Sequence, residues 1–155
     1  MQRLKNTYSL QQVPVAARLL GLAGLIPFVV PAVLIWVTSG EQAGGLSIAL
    51  CACGAVILSF LGGVRWGGLL ADTPTQWWPW VASILPSLVG WVAVLLGGVS
   101  GLALLAIGFA AQWFYDMKAV GTGELPAWFG PLRSVLSAGA VGSVVLGALA
   151  LWLAH

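Results

Sequence analysis

Charge is scarce in this 155-residue chain, so every ionisable side chain is a candidate for chemistry: six Lys or Arg, four Asp or Glu, and one His. The sharpest candidate is Arg65. It follows Gly62-Gly63, precedes Trp66-Gly67-Gly68, and the apolar sequence continues beyond it to Ala71. A guanidinium drawn into an apolar setting needs a partner. Asp116 is the natural candidate, and Asp72 shares the Arg65 face two helical turns on. Arg65, Gln112, Tyr115 and Asp116 would then make a small polar cluster with a binding or structural role. The plainer reading makes Arg65 an anchor whose stem snorkels to a membrane interface. Both readings stand at this point.

Other chemistries lack their residues. The single His is His155, the last residue, so two axial His ligands for a b-type haem do not come from this chain. No carboxylate falls at the middle of an apolar stretch, where ion-coupled pumps keep a relay. A Ser–His–Asp set, a zinc-ligand cluster and a phosphate-binding glycine loop are all missing. No catalytic residue, metal or cofactor is therefore expected. Cys51 and Cys53 lie two apart, which on a helix sends them to roughly opposite faces. They read as small packing residues.

The elements that must position these residues are set by composition. The chain is 60% hydrophobic and 6% charged, with a mean hydropathy of +1.01. Soluble domains carry about 25% charged residues, and a water-soluble fold of this composition would expose large apolar patches. Lipid is thus the expected solvent. The net charge of +2 is too small and too dispersed for a nucleic-acid partner.

A membrane span needs about 20 apolar residues. Five stretches qualify, at about 19–38, 45–64, 79–96, 102–116 and 132–153, with Gly97-Gly98-Val99-Ser100-Gly101 as a turn. The predicted fold is all-α: one integral membrane bundle of five transmembrane helices. The first stretch is longer than the roughly 7–15 residues of a signal peptide and has no cleavage site, so cleavage is not expected.

Counting alternate gaps places Arg3, Lys5, Arg18, Arg65, Lys118 and Arg133 on one side. The positive-inside rule then predicts a cytoplasmic N-terminus and an outside C-terminus. Trp66, Trp77, Trp78, Trp80, Trp113 and Trp128 collect near that same interface.

Small residues mark close helix contacts. Ser47, Cys51, Ala55, Ser59, Gly63 and Gly67 recur every four residues along the second span. In the fifth, Ser134, Ala138 and Gly142 form one row, and Gly139, Ser143 and Gly147 another. Such rows let backbones approach. Pro27 and Pro31 in the first span and Pro86 in the third each remove a backbone donor, so kinks are expected there.

Two motifs carry a family resemblance. Gly21-Leu22-Ala23-Gly24-Leu25-Ile26-Pro27-Phe28 and the run from Gly54 through Gly62-Gly63-Val64-Arg65-Trp66-Gly67 resemble the DUF3429 (transmembrane protein 69-like) family. Trp113-Phe114-Tyr115-Asp116 and Pro131-Leu132-Arg133 resemble its later part, and the likeness runs over about 13–140. The resemblance implies a small multi-spanning protein of bacterial or mitochondrial inner membranes. It brings no established activity, and it points to Arg65 with its glycines and to Tyr115-Asp116 as shared polar features.

These readings together predict a multi-pass protein of the bacterial inner membrane, working as a non-enzymatic accessory or assembly component of a membrane complex. A small-solute channel or transporter acting as a homo-oligomer is the alternative. Membrane lipids surround it, and other membrane subunits or a second copy are the partners its small-residue faces allow.

Overall fold

In lipid every backbone donor and acceptor must be satisfied internally, and a helix does this within one segment. The computed structural model describes residues 13–72 and 74–154, and these fold into helices joined by short turns. Arg3, Lys5 and His155 lie outside the described residues, as does the side chain of Asp72. In chain order the helices are α1 (Val15–Ala23), α2 (Ile26–Leu34), α3 (Gly40–Asp72), α4 (Trp77–Leu96), α5 (Gly98–Thr122) and α6 (Phe129–Leu153). Taken with α2 as one broken span, α1 gives the first of five segments long and apolar enough to cross a membrane. The fold is an all-α membrane bundle of five spans.

The break in the first span lies at Gly24-Leu25 rather than at either proline. The Pro27 ring would strike the Ala23 carbonyl, four residues back, if the helix continued. Instead the Leu25 N–H donates to the Leu22 carbonyl at 3.0 Å and a new helix starts at Ile26. Pro27 then sits in the first turn, where a missing N–H is no loss. Pro31 and Pro86 lie inside α2 and α4, each buried.

Several helices run past their expected ends. The turn between α4 and α5 is only Gly97-Gly98, with φ of +60° and +51°, a conformation open to glycine. At the far end of α5, expected near Asp116, the helix continues to Thr122 because interfacial polar residues do not stop a helix. Gly123 does, with φ +83°. Its N–H donates to the Val120 carbonyl and that of Glu124 to the Ala119 carbonyl, a Schellman closure. At the start of α6, Pro131 lies within the first turn, so the helix begins three residues before the expected 132.

The core is made by Phe28, Leu50, Leu58, Leu102, Leu105, Phe109 and Val144, all buried. Phe28 meets Phe109 edge-on at 5.8 Å between ring centroids. Helix α3 packs most extensively against α4, and α5 against α6. Val56, Phe60, Trp91 and Ile107 point outward, as a lipid-facing surface allows.

The small residues divide into two kinds. Ser47 and Ser143 are buried, and Gly139 and Gly147 admit Leu25 and Leu50. Ala55 lies against Gly90 of α4, where a Cβ would meet the Ala55 Cα at 2.9 Å. Ser59 is half-buried. Gly63 and Gly67 are exposed and face open space, so the expected row leaves the bundle before it ends. The close α3–α4 approach uses Gly62, where an added Cβ would overlap the Ser83 carbonyl oxygen.

Neighbouring glycines on α3 should thus respond in opposite ways. Gly62→Ala is expected to lower stability by about 1–3 kcal/mol through overpacking. Gly63→Ala should be neutral or stabilising by up to about 1 kcal/mol. Thermal denaturation of the detergent-purified variants measures both, and equal effects would contradict the α3–α4 packing.

Candidate functional site

Polar chemistry gathers at one end of the bundle, where α3 and α5 end and α4 and α6 begin. Helices α5 and α6 are antiparallel across a short connection. Asp116 lies six residues before the end of α5 and Arg133 four residues after the start of α6, so both sit a turn or two inside the helices. Asp116 is 2% exposed and Arg133 3%. The Arg133 Nε donates to Asp116 Oδ2 at 2.7 Å, and its Nη1 to Ser137 Oγ at 2.6 Å. Gln112, one turn before Asp116, donates from Nε2 to Asp116 Oδ1 at 3.0 Å. The result is a buried string, Gln112–Asp116–Arg133–Ser137, crossing from α5 to α6. Beside it the Trp113 Nε1 donates to Ser134 Oγ at 3.0 Å, and that hydroxyl donates to the Gly130 carbonyl at 2.9 Å.

Asp116 is therefore the partner of Arg133 and not of Arg65, which corrects the expectation from sequence. Successive residues on a helix turn by about 100°. Asp116 faces α6, while Tyr115 faces α3. Arg65 lies over the Tyr115 ring, its guanidinium carbon 4.6 Å from the ring centroid. Its Nη2 donates to Glu124 Oε2 at 2.8 Å. The Schellman closure that ends α5 carries Glu124 to this place. Hydrogen bonds from Arg65 and then from the Thr122 hydroxyl hold the Glu124 carboxyl below its ordinary range. Glu124 itself is exposed, so this second pair lies at the rim.

The four cluster residues named from sequence thus meet in two pairs. Gln112 joins Asp116 inside, and Arg65 joins Tyr115 toward the outside, back to back on α5. Sequence reasoning missed Arg133, Ser137, Glu124 and Thr122. Arg133 falls at the entry of the expected fifth span at about 132, whereas α6 begins at Phe129 and carries Arg133 inside the helix. The signal available was the four-residue spacing of Arg133 and Ser137, one helical turn.

The tryptophans cluster at the same end. Trp66 and Trp80 pack edge-on at 5.0 Å between centroids, and the Trp80 Nε1 donates to the Pro74 carbonyl at 3.2 Å. Trp77 and Trp78 belong to the first turn of α4 and are exposed. They are placed as interfacial anchors.

The family model described as protein of unknown function (DUF3429) matches residues 13–149. The chain is 40% identical over 142 residues to Transmembrane protein 69 of Xenopus tropicalis, covering 88% of this chain and 55% of that protein. It is 32% identical over 139 residues to Transmembrane protein 69 of Mus musculus, covering 86% and 55%. The chain thus spans about half the length of these curated relatives. No solved structure matches.

Removing one member of the inner pair leaves an uncompensated buried charge, whereas removing both leaves none. Arg133→Leu or Asp116→Leu alone should lower stability by about 3–5 kcal/mol, and the double replacement should recover most of that loss. Arg65→Leu should cost less, about 1 kcal/mol or below, because its carboxylate partner is exposed. Unfolding in mixed detergent micelles measures the series. A double variant as unstable as either single one would overturn the pairing.

Proposed function

We propose that this chain, which belongs to the DUF3429 family, is a non-enzymatic accessory or assembly component of a complex in the bacterial inner membrane. One observation carries the reading. The small-residue row of α3 continues past the bundle, and its last members, Gly63 and Gly67, stand exposed with open space where a Cβ would be. Small residues on an exposed helix face let a second helix approach closely in lipid, where packing rather than the hydrophobic effect drives association. The polar groups nearby are engaged in internal pairs, as suits a scaffold.

The orientation belongs to the same proposal. Arg18, Arg65, Lys118 and Arg133 all lie toward the end of the bundle where α3 and α5 finish, and the positive-inside rule makes that end cytoplasmic. The N-terminus is then inside and the C-terminus outside.

A small-solute channel or transporter is the weaker alternative. A polar solute needs polar groups along its route, and the cavity beside the broken first span is walled by apolar groups with Arg133 its one charged side chain.

Two measurements test the proposal. Gly63→Leu with Gly67→Leu should leave the melting temperature near that of the parent yet abolish co-purification of partner subunits in mild detergent. A parent protein that always purifies alone would sink the accessory role. For orientation, a cysteine placed at position 42 should react with impermeant reagent from outside, and one at position 121 only from the cytoplasm. The reverse pattern would overturn the topology.

A further inference from the structure

The cavity beside the broken first span, about 370 Å³, is a crevice open to the membrane. Leu20 of α1 and Phe60 of α3 line it and are exposed, so it opens sideways between those helices. On α6 its wall runs from Phe129 to Ala140. That is about 16 Å at helical rise, close to one leaflet, half of a hydrocarbon core of ~30 Å. Phe129 is the first residue of α6, next to Trp128, so the crevice starts at the membrane surface and ends near mid-membrane. A cation stands at its mouth. Ala17 and Gly21 belong to the wall, and Arg18 lies between them on α1. Side chains on a helix lean toward its N-terminus, which carries this guanidinium toward the surface. Among the described residues no carboxylate lies within ion-pair distance of Arg18, whereas Arg65 and Arg133 each have one.

We infer that this crevice holds one acyl chain of an anionic phospholipid whose phosphate pairs with Arg18. Depth selects the chain: an apolar wall one leaflet long suits a tail whose head stays at the surface, level with Arg18. Charge selects the head. A guanidinium matches a phosphate with two parallel donors. Phosphatidylglycerol keeps a net negative charge for it, whereas the ammonium of phosphatidylethanolamine offsets its own phosphate. Packing gives the bound chain a role. The short α1 has no buried residue, so a tail in the crevice supplies the contacts toward α3 that the protein does not. The inference goes beyond the accessory role and does not depend on it.

The probe is phosphatidylglycerol with a diazirine midway along one chain, in phosphatidylcholine nanodiscs holding the purified full chain. Labelling should saturate at one lipid per chain and map to wall residues such as Ile57 and Leu136. Labelling spread evenly over outward residues such as Trp91 and Ile107 would mean ordinary surrounding lipid and overturn the inference. Unlabelled phosphatidylglycerol should compete about 5-fold better than phosphatidylethanolamine, the preference expected of one arginine at an anionic surface. Equal competition would overturn the anionic assignment. Displacement by inorganic phosphate would make this a site for free phosphate and overturn it as well. Arg18→Gln should erase the preference and Arg18→Lys should retain it. Ala17→Phe narrows the crevice with Arg18 in place and should reduce labelling by either lipid. Labelling unchanged in both Arg18→Gln and Ala17→Phe would overturn the site. Should a variant fail to fold, the headgroup competition on the parent chain decides alone.

Discussion

Two opposite charges buried within 2.7 Å of each other, Asp116 and Arg133, constrain this bundle more than any other contact. Either charge alone in an apolar interior would carry a large desolvation penalty. Each therefore requires the other, and together they require α5 and α6 to hold one register. A slip of one residue would rotate Asp116 by about 100° away from α6. Apolar contacts between lipid-embedded helices are interchangeable and weakly directional. The ion pair is neither. Gln112 and Ser137 extend the same requirement along both helices, because each answers a polar atom that would otherwise lie unpaired.

The second pair follows from the first by geometry. Once Asp116 is turned to α6, Tyr115 is turned to α3, and Arg65 can reach only its ring and the residues just beyond the end of α5. Gly123 ends that helix in a left-handed conformation and folds the chain back so that Glu124 meets Arg65. A glycine stop, an aromatic face and an exposed carboxylate thus replace the partner that sequence alone suggested. The two arginines differ accordingly. Arg133 is enclosed and its partner is too, whereas Arg65 is held at a rim beside an exposed carboxylate.

The number of spans was legible from the sequence because hydrophobicity has to be continuous across a bilayer, and five runs met that condition. Helix ends were less legible. Hydropathy reports where lipid stops, while the backbone stops at Gly123 or at the Gly97-Gly98 pair, for conformational reasons. That gap misplaced Arg133: a residue one turn inside a helix was read as lying at its edge. The kink positions show a related limit. A proline disturbs the carbonyl four residues before it, so Pro27 marks the start of a new helix, and the break lies upstream at Gly24-Leu25. The small-residue rows predicted that close approach occurs. Which rows face inward was not legible, since Gly62 and Gly63 are adjacent and identical in type yet meet a carbonyl and open space respectively.

The break in the first span and the buried pair are connected through the cavity between them. If α1 continued straight into α2, the carbonyl of Ala23 and the Pro27 ring would collide, so the chain steps aside at Gly24-Leu25. The cavity lies along that step: Gly21, Gly24 and Leu25 line it on one side, and Arg133, Leu136 and Ala140 on the other. The short α1 has no buried residue of its own, so few contacts oppose its movement. The bundle therefore joins a rigid half, held by ions and hydrogen bonds between α5 and α6, to a loosely packed arm across an apolar gap.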